Sequence, residues 1–278
     1  MLNSKNKLAI ASLSLLLSLL LISISVSAKL AVAPLSLIVE LPPGETTTET
    51  ISLHNTGEEP VEINLELMDW WRAPSGDLQI KKPGDLERSC ADWILYSPTS
   101  LSLEPGERRE VSVELAVPED TSGDHWALIL ASEEPQPVEE DQPVTTRISV
   151  SYAIKILQKD PRNRTKSAKI TNIELEKSSP LKLSVNYEND GTAHLQTTGR
   201  VEIRDIQGET IKEFEIDKFP TLPGEKRIIT VKEEEAGGSL ESGQYYQAIA
   251  TMDFGGDRLI QGGLPIEVPE SDAEEATG

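Results

Sequence analysis

Few side chains in this sequence are of the types that carry out chemistry, and they lie far apart. Two short acidic segments, Glu188–Gly191 (ENDG) and Asp253–Asp257 (DFGGD), have the oxygen-rich composition of calcium loops. Neither has a known ligand spacing, so tight turns are the alternative interpretation. His194 has no serine nucleophile motif beside it, and no phosphate-loop, zinc-protease or dinucleotide motif occurs in the sequence. The sequence therefore predicts a protein that is not an enzyme and holds no metal or cofactor.

Composition excludes further classes of function. The 278 residues include 26 Lys+Arg and 47 Asp+Glu, a formal net charge of −21. A chain this acidic repels nucleic-acid phosphates instead of releasing their counterions, so nucleic acid is not an expected partner. Cys90 is the single cysteine, which excludes an intrachain disulfide and a cysteine-rich zinc site.

The N-terminal segment predicts export. Lys5 and Lys7 precede an uncharged apolar run, Leu8–Ser27, and Val26-Ser27-Ala28 offers small residues for cleavage. These are the three parts of a secretory signal peptide over residues 1–28, which predicts an extracytoplasmic location, periplasmic or at the cell surface. The alternative is an uncleaved segment that anchors the protein, since about 20 apolar residues can span a bilayer.

Beyond the signal segment, apolar and polar residues alternate with the period of half-buried strands. The clearest alternating segments are Thr46–Asn55, Val61–Met68, Arg109–Val117 and Arg147–Ile156. Pro-Gly-Glu occurs three times and precedes a strand each time, and Asn-x-Gly turns occur at Asn55 and Asn189. No amphipathic helix is indicated. The sequence predicts an all-β fold of two immunoglobulin-like sandwiches.

The charge is divided among the expected parts of the chain. We expect a first sandwich over residues 29–158, a polar linker over 159–169, a second sandwich over 170–268 and a disordered acidic tail over 269–278. Residues 29–158 carry a net charge of −15, residues 159–169 carry +4, and residues 170–278 carry −12. The linker is thus the basic part of an acidic molecule.

Several motifs in the first expected sandwich resemble one family in combination. PPGE (Pro42–Glu45), the strand Thr50–Leu67, and the segment Ser89–Ser132 with its Trp, Pro-Gly-Glu and Val-Pro landmarks follow the order seen in PapD-like periplasmic pilus chaperones. The segments Leu181–Glu209 and Ser242–Gly256 resemble the second immunoglobulin-like domain of the same superfamily. The resemblance covers most of residues 30–268 and implies an arrangement of two sandwiches.

The resemblance also implies a way of binding. In these chaperones the last strand of the first domain is lent to an incomplete pilin subunit, a form of β-strand addition. Here that strand is expected over Thr145–Ile156, with the alternating apolar residues Ile148, Val150, Tyr152 and Ile154. The alternative is that these four side chains only face their own core.

The sequence departs from the chaperone pattern at the two basic residues that grip the subunit's terminal carboxylate. The arginine position of the first strand falls near Ser36, and the lysine position of the last strand falls near Ser149, with Arg147 and Lys155 as the nearest basic residues. Our hypothesis is that the basic joint replaces them and attracts an acidic group of the partner. That joint consists of Lys155, Lys159, Arg162, Arg164 and Lys166. The alternative is a linker that is basic only for solubility.

Tryptophan is confined to the first expected sandwich. Trp93 and Trp126 are expected in its core, whereas the adjacent Trp70 and Trp71 point to opposite faces of a strand. At least one of the pair is then expected to be exposed or at an interface, where it could contribute to partner binding.

These observations favour a non-catalytic, chaperone-like adaptor that binds an extended segment of a pilus or surface protein by β-strand addition. The alternative is a cell-envelope scaffold protein that resembles the two-domain WxL-interacting proteins and binds cell wall or surface proteins.

Overall fold

The structure is a computed structural model that describes residues 29–134, 150–233 and 240–268. The predicted signal segment, Arg147, Ile148 and the predicted acidic tail lie outside the described residues. The described part is built from strands and one short 3-10 turn, Ala91–Trp93. The prediction of an all-β chain with two immunoglobulin-like sandwiches is confirmed.

Two sheets face each other in the first sandwich. Its strands are β1 (Leu30–Ala33), β2 (Ser36–Glu40), β3 (Thr46–Asn55), β4 (Val61–Arg72), β5 (Leu78–Lys81), β6 (Ile94–Ser97), β7 (Ser100–Leu103), β8 (Arg108–Ala116), β9 (His125–Glu133) and β10 (Ser151–Lys159). One sheet has the order β1-β3-β8-β6, and the other has the order β2-β10-β9-β4-β5, with β7 also pairing with β4. Strand β2 runs parallel to β10, whereas the other pairs in these sheets are antiparallel.

The second sandwich is made of two antiparallel sheets. Its strands are β11 (Lys169–Ser178), β12 (Leu181–Glu188), β13 (Leu195–Arg204), β14 (Thr210–Thr221), β15 (Lys226–Lys232), β16 (Tyr245–Asp253) and β17 (Ile260–Glu267). The strand orders are β11-β12-β15 and β14-β13-β16-β17.

Each sandwich buries the apolar side of its alternating strands. Ile51 and Leu53 of β3 and Val111, Val113 and Leu115 of β8 are almost fully buried in the first core. The second core has the same construction, and its central residues include Leu183, Val185, Tyr187, Val201, Ile203, Ala248 and Ala250. Removal of these apolar side chains from water is the main force that holds each pair of sheets together.

A turn motif occurs once in each sandwich. The Asn55 side chain donates to the backbone oxygens of Glu59 and Leu103, at 2.7 and 2.9 Å, and accepts from the N–H of Gly57 at 2.9 Å. Gly106 of a Pro-Gly-Glu turn donates its N–H to the Asn55 backbone oxygen at 3.0 Å. Asn55 is completely buried, so these bonds satisfy its amide group where water cannot reach it.

The second sandwich repeats this motif at Asn189. The side chain donates to the oxygens of Ala193 and Thr221 and accepts from the N–H of Gly191, at 3.0 to 3.2 Å. Gly224 of the third Pro-Gly-Glu turn donates to the Asn189 backbone oxygen at 2.8 Å. The spacing of the Asn-x-Gly and Pro-Gly-Glu segments therefore reflects one structural unit that both sandwiches use.

In residues 29–134, 150–233 and 240–268 no helix is long and apolar enough to cross a bilayer.

Candidate functional site

Among the described residues, the first half of β10 has an open edge. Strand β9 pairs with β10 from Ser151 to Gln158, but β2 pairs with it only from Lys155 to Lys159. No strand of the described chain covers Ser151–Ile154 on the β2 side. This short stretch is consequently a place where an added strand can pair.

The backbone groups at this edge point outward. Lys155 donates its N–H to the oxygen of Leu35 at 3.1 Å, on the β2 side. Because backbone direction alternates along a strand, the N–H and C=O of Ser151 and Ala153 point to that same side, where they face the open edge. An incoming strand can therefore bond to Ser151 and Ala153 without breaking the ladder to β9.

The predicted apolar row of β10 faces inward. Ile154 is fully buried in the first core, and Tyr152 is half-buried against it and donates its hydroxyl to the oxygen of Leu30. Val150, just before β10, is half-buried, whereas Ile148 and Arg147 are outside the described residues. The opposite row of β10, with Ala153, Lys155 and Leu157, faces the second sandwich or the surface beside it.

Trp70 and Trp71 have different environments. Trp70 is only 3% exposed and lies in a small apolar cluster at the junction, with Trp126, Leu128, Leu157 and Leu222 of the second sandwich. The indole N–H of Trp126 donates to the Trp70 oxygen at 2.7 Å, and that of Trp70 donates to the Ala127 oxygen at 2.9 Å. Trp71 is half-buried, and the Lys81 ammonium lies 4.8 Å from the centre of its ring.

An interdomain cleft of about 550 Å³ lies between β2, β4 and β10 of the first sandwich and the second sandwich. Its lining includes Ile38, Trp70, Arg72, Lys155, His194 and Leu222. Ile38 is 56% exposed although its side chain is apolar. The cleft therefore combines exposed apolar surface with cationic groups.

Two cations share the Trp70 ring inside this cleft. The Arg72 guanidinium carbon is 4.8 Å from the ring centre, and the Lys155 nitrogen is 5.2 Å from it. Arg72 forms an ion pair with Glu225 at 3.7 Å, whereas Lys155 has no ion pair with any described residue. Burial lowers the pKa of Lys155, and the charge of Arg72 lowers it further. The sequence indicated Lys155 as a basic neighbour of an anchor position, but it gave no signal for Arg72, which comes from β4.

The imidazole of His194 lies at this junction and has a lowered pKa. Its pKa falls from 6.5 to about 4, chiefly through burial and also through the charges of Lys159, Arg72 and Arg164. The imidazole is thus neutral at physiological pH. A positive region of this kind within a chain of net charge −21 attracts negatively charged groups.

The arginines of the basic joint contact acids of the same chain. Arg162 lies 3.5 Å from Glu45. Arg164 lies 3.8 Å from Glu40 and 3.9 Å from Asp124, which is completely buried. The structure does not bring Arg162 and Arg164 into the lining of the cleft, although Lys155 is there.

Two buried carboxylates connect the sandwiches. Asp124 of the first sandwich accepts the backbone N–H of His194 at 2.7 Å, and Glu225 of the second accepts that of Arg72 at 2.7 Å. Burial raises the pKa of both carboxyl groups, and these hydrogen bonds oppose that shift. Ile228 also donates its N–H to the oxygen of Pro74 at 2.9 Å. These contacts fix the walls of the cleft, and the sequence alone did not indicate them.

The two acidic segments singled out in the sequence form turns. Asn189 is used in the turn motif described above, Asp190 lies 3.4 Å from the ammonium of Lys169, and Asp253 accepts the N–H of Gly255 at 2.8 Å. Within the described ranges, no three His, Cys, Asp or Glu side chains are placed to hold one metal ion.

Comparisons with known proteins give matches among solved structures alone. No protein-family model and no curated protein matches the sequence. The similar structures include the class 5 fimbriae chaperone CfaA, at 10% identity and a TM-score of 0.45, over 86% of this chain and 98% of that one. Another is the CsuC–CsuE chaperone–tip adhesion subunit complex of Acinetobacter baumannii, at 10% identity and a TM-score of 0.46, over 88% of this chain and 100% of that one. A third is the E. coli chaperone DraB, at 14% identity and a TM-score of 0.40, over 86% of this chain and 98% of that one. The predicted likeness to pilus chaperones is thus found again among solved structures, at low sequence identity.

Proposed function

We propose that this chain is an exported, non-catalytic binding protein that takes an extended segment of a pilus-type or surface protein as an added strand along β10. The observation that carries the proposal is the open edge at Ser151–Ile154 directly beside the cationic cleft. Main-chain hydrogen bonds along an edge supply affinity for an extended segment of varied sequence.

The cleft gives the added strand an end point. A strand that pairs with Ser151 and Ala153 meets β2 at Lys155, where pairing with β10 is already taken. A carboxylate at that end of the segment reaches the ammonium of Lys155, which has no acidic partner in the described chain, and the guanidinium of Arg72. In this proposal Arg72 and Lys155 perform the anchoring that the resemblance assigned to an arginine near Ser36 and a lysine near Ser149.

The apolar walls of the cleft favour a partner with apolar side chains next to its carboxylate. Leu35, just before β2, and Ile38 in β2 are 51% and 56% exposed. Covering them removes apolar surface from water, which adds to the affinity that the backbone bonds supply.

A pair of variants at Ala153 tests this proposal. Ala153→Pro removes the outward N–H and leaves the ladder to β9 with all its donors, whereas Ala153→Val keeps the N–H and changes only the side chain. Each chain, from Lys29 onward, is used as bait in an envelope extract from its own host. A protein retained by the wild type and Ala153→Val and lost with Ala153→Pro supports strand addition. Equal retention by all three, or retention of none by the wild type, contradicts it. Binding to isolated cell wall that ignores both variants would instead favour the scaffold alternative.

A further inference from the structure

A second cavity of about 540 Å³ lies at the domain junction, and nothing in the proposed strand addition uses it. Of its lining residues, only Arg72 also lines the interdomain cleft. One wall comes from the first sandwich and includes Trp71, Arg88 and Trp126, and the other comes from the second and includes Asp190, Pro223 and Lys226. We call it the Trp71 cavity. Its volume lies within the range of about 300–1,000 Å³ that is usual for small-molecule sites.

Some polar groups of this cavity are donors that have no partner among the described residues. The indole N–H of Trp71 has no hydrogen-bond acceptor among the described residues, in contrast to the indoles of Trp70 and Trp126. Arg88 donates to the oxygen of Ser122 at 3.2 Å and has no ion pair in the described chain. The ammonium of Lys226 likewise has no acidic partner there. A ligand that offers acceptors and a negative charge would complement these three groups.

The acids of the cavity are largely engaged. Glu225 is bound to Arg72, and Asp190 lies 3.4 Å from the ammonium of Lys169. Glu87 is exposed and has no ion pair with a described residue, so it remains as an acceptor for hydroxyl groups. The charged groups left for a ligand are consequently the cations of Arg88 and Lys226 and the carboxylate of Glu87.

The edge of β15 beside this cavity is partly covered. The N–H of Ile228 in β15 already donates to the oxygen of Pro74 at 2.9 Å, so the turn between β4 and β5 covers the edge at that residue. The site is therefore suited to a compact ring, and indole surfaces stack on the apolar faces of sugar rings.

We propose that the Trp71 cavity binds an acidic sugar unit, a pyranose ring that bears a carboxylate. Trp71 stacks on the ring and donates its N–H to a ring substituent, while Arg88 and Lys226 bind the carboxylate. Glu87 accepts a hydroxyl. This site is independent of the β10 edge, and the protein would hold a protein segment and a surface glycan at the same time.

The test is calorimetric titration of the intact chain with an oligosaccharide of alternating glucuronic acid and N-acetylglucosamine. The comparison ligand is its carboxyl-reduced form, which keeps every ring and removes the charge. Binding of the acidic sugar and a loss of roughly tenfold or more with the reduced sugar are expected, because the reduced form loses the charge-assisted hydrogen bonds of the carboxylate.

Three variants locate the site. Lys226→Gln is expected to weaken binding of the acidic sugar about tenfold and to leave the reduced sugar unchanged, while Trp71→Leu weakens both. Lys232→Gln, at the other end of β15, is the matched control and is expected to have no effect. Thermal unfolding of each variant separates loss of binding from loss of folding.

Three outcomes overturn the proposal. They are absence of binding, binding that ignores Trp71→Leu and Lys226→Gln, and equally tight, equally sensitive binding of an acidic peptide such as oligoglutamate. The Ala153 variants leave this titration unchanged, so failure here and failure of strand addition are distinguishable.

Discussion

The carboxylate of Glu225 in the second sandwich accepts the backbone N–H of Arg72 in the first, although the two residues are 153 positions apart. The same carboxylate accepts the N–H of Leu222 within its own turn at 2.8 Å. Glu107 caps the corresponding turn of the first sandwich by accepting the N–H of Glu104 at 2.9 Å, but its other oxygen bonds to Arg109 of the same sandwich. One turn motif has thus acquired an interdomain role in one copy.

Glu225→Gln is expected to lower the free energy of unfolding by about 2 kcal/mol, because the buried amide can accept from only one of the two N–H groups and loses the charge that Arg72 needs. Glu107→Gln is the matched control at the equivalent position and is expected to have a much smaller effect. Urea unfolding of the two variants provides the comparison. Equal losses would show that the contact with Arg72 contributes nothing.

Stability is expected to fall below pH 6.5 through His194. Its pKa is lowered to about 4 in the folded protein, so between pH 6.5 and about 4 the unfolded chain binds a proton that the folded chain does not. Unfolding is therefore favoured as pH falls, by up to about 3 kcal/mol. His194→Gln removes this contribution.

The comparison of wild type and His194→Gln isolates the imidazole. Asp124 and Glu225 act in the opposite direction, because a raised pKa favours the folded state as they become protonated, but they are common to both proteins. The expected result is a wild-type stability that falls more steeply between pH 6.5 and 4 than that of the variant. Parallel curves would contradict a lowered pKa of His194 in the folded protein.

The paired turn motif predicts equivalent losses in the two sandwiches. Asn55→Ala and Asn189→Ala each remove two side-chain hydrogen bonds to backbone oxygens, both buried at Asn189 and one buried at Asn55, which is expected to cost about 2–3 kcal/mol. Asn163→Ala, at an exposed position, is the control and is expected to have little effect. The measurement is the midpoint of urea unfolding, and a near-neutral result at either buried asparagine would contradict the assigned role.

Lys155 is the cleaner test of the cleft, since Arg72 also stabilises the buried Glu225. Lys155→Gln is expected to weaken binding of the captured partner about tenfold and to reduce its dependence on salt concentration. Reversal of Arg162 and Arg164 to Glu gives the comparison, because these arginines contact Glu45, Glu40 and Asp124 and do not line the cleft. Loss of binding on reversal of Arg162 and Arg164, with binding by Lys155→Gln unchanged, would indicate that the linker arginines anchor the partner and that Lys155 does not.

Local patterns predicted the fold well and the site only in part. The alternation of Val111, Val113 and Leu115 is sufficient to identify a half-buried strand, because its period depends on the strand alone. Which of Trp70 and Trp71 is buried depends on Trp126, which is 56 residues from Trp70 and bonds to its backbone oxygen. Contacts of that range have no local signature.

The charged contacts around the cleft could not be predicted from the sequence for the same reason. The basic composition of residues 159–169 was visible in the sequence, but the acids that face Arg162 and Arg164 come from the ends of distant strands. Arg72 stands alone in the sequence as a cation beside two tryptophans, and only the packing of β4 against the second sandwich places it next to Lys155. The open edge of β10 depends in turn on where its pairing with β2 begins.

Backbone amide exchange along β10 tests strand addition most directly. In the free protein the N–H groups of Tyr152 and Ile154 point toward β9 and are expected to be protected, whereas those of Ser151 and Ala153 face the open edge and exchange rapidly. Saturation with the purified partner is expected to slow exchange at Ser151 and Ala153 and to leave Tyr152 and Ile154 as they were. Unchanged, rapid exchange at Ser151 and Ala153 in the saturated complex would contradict the proposal that the partner pairs with β10.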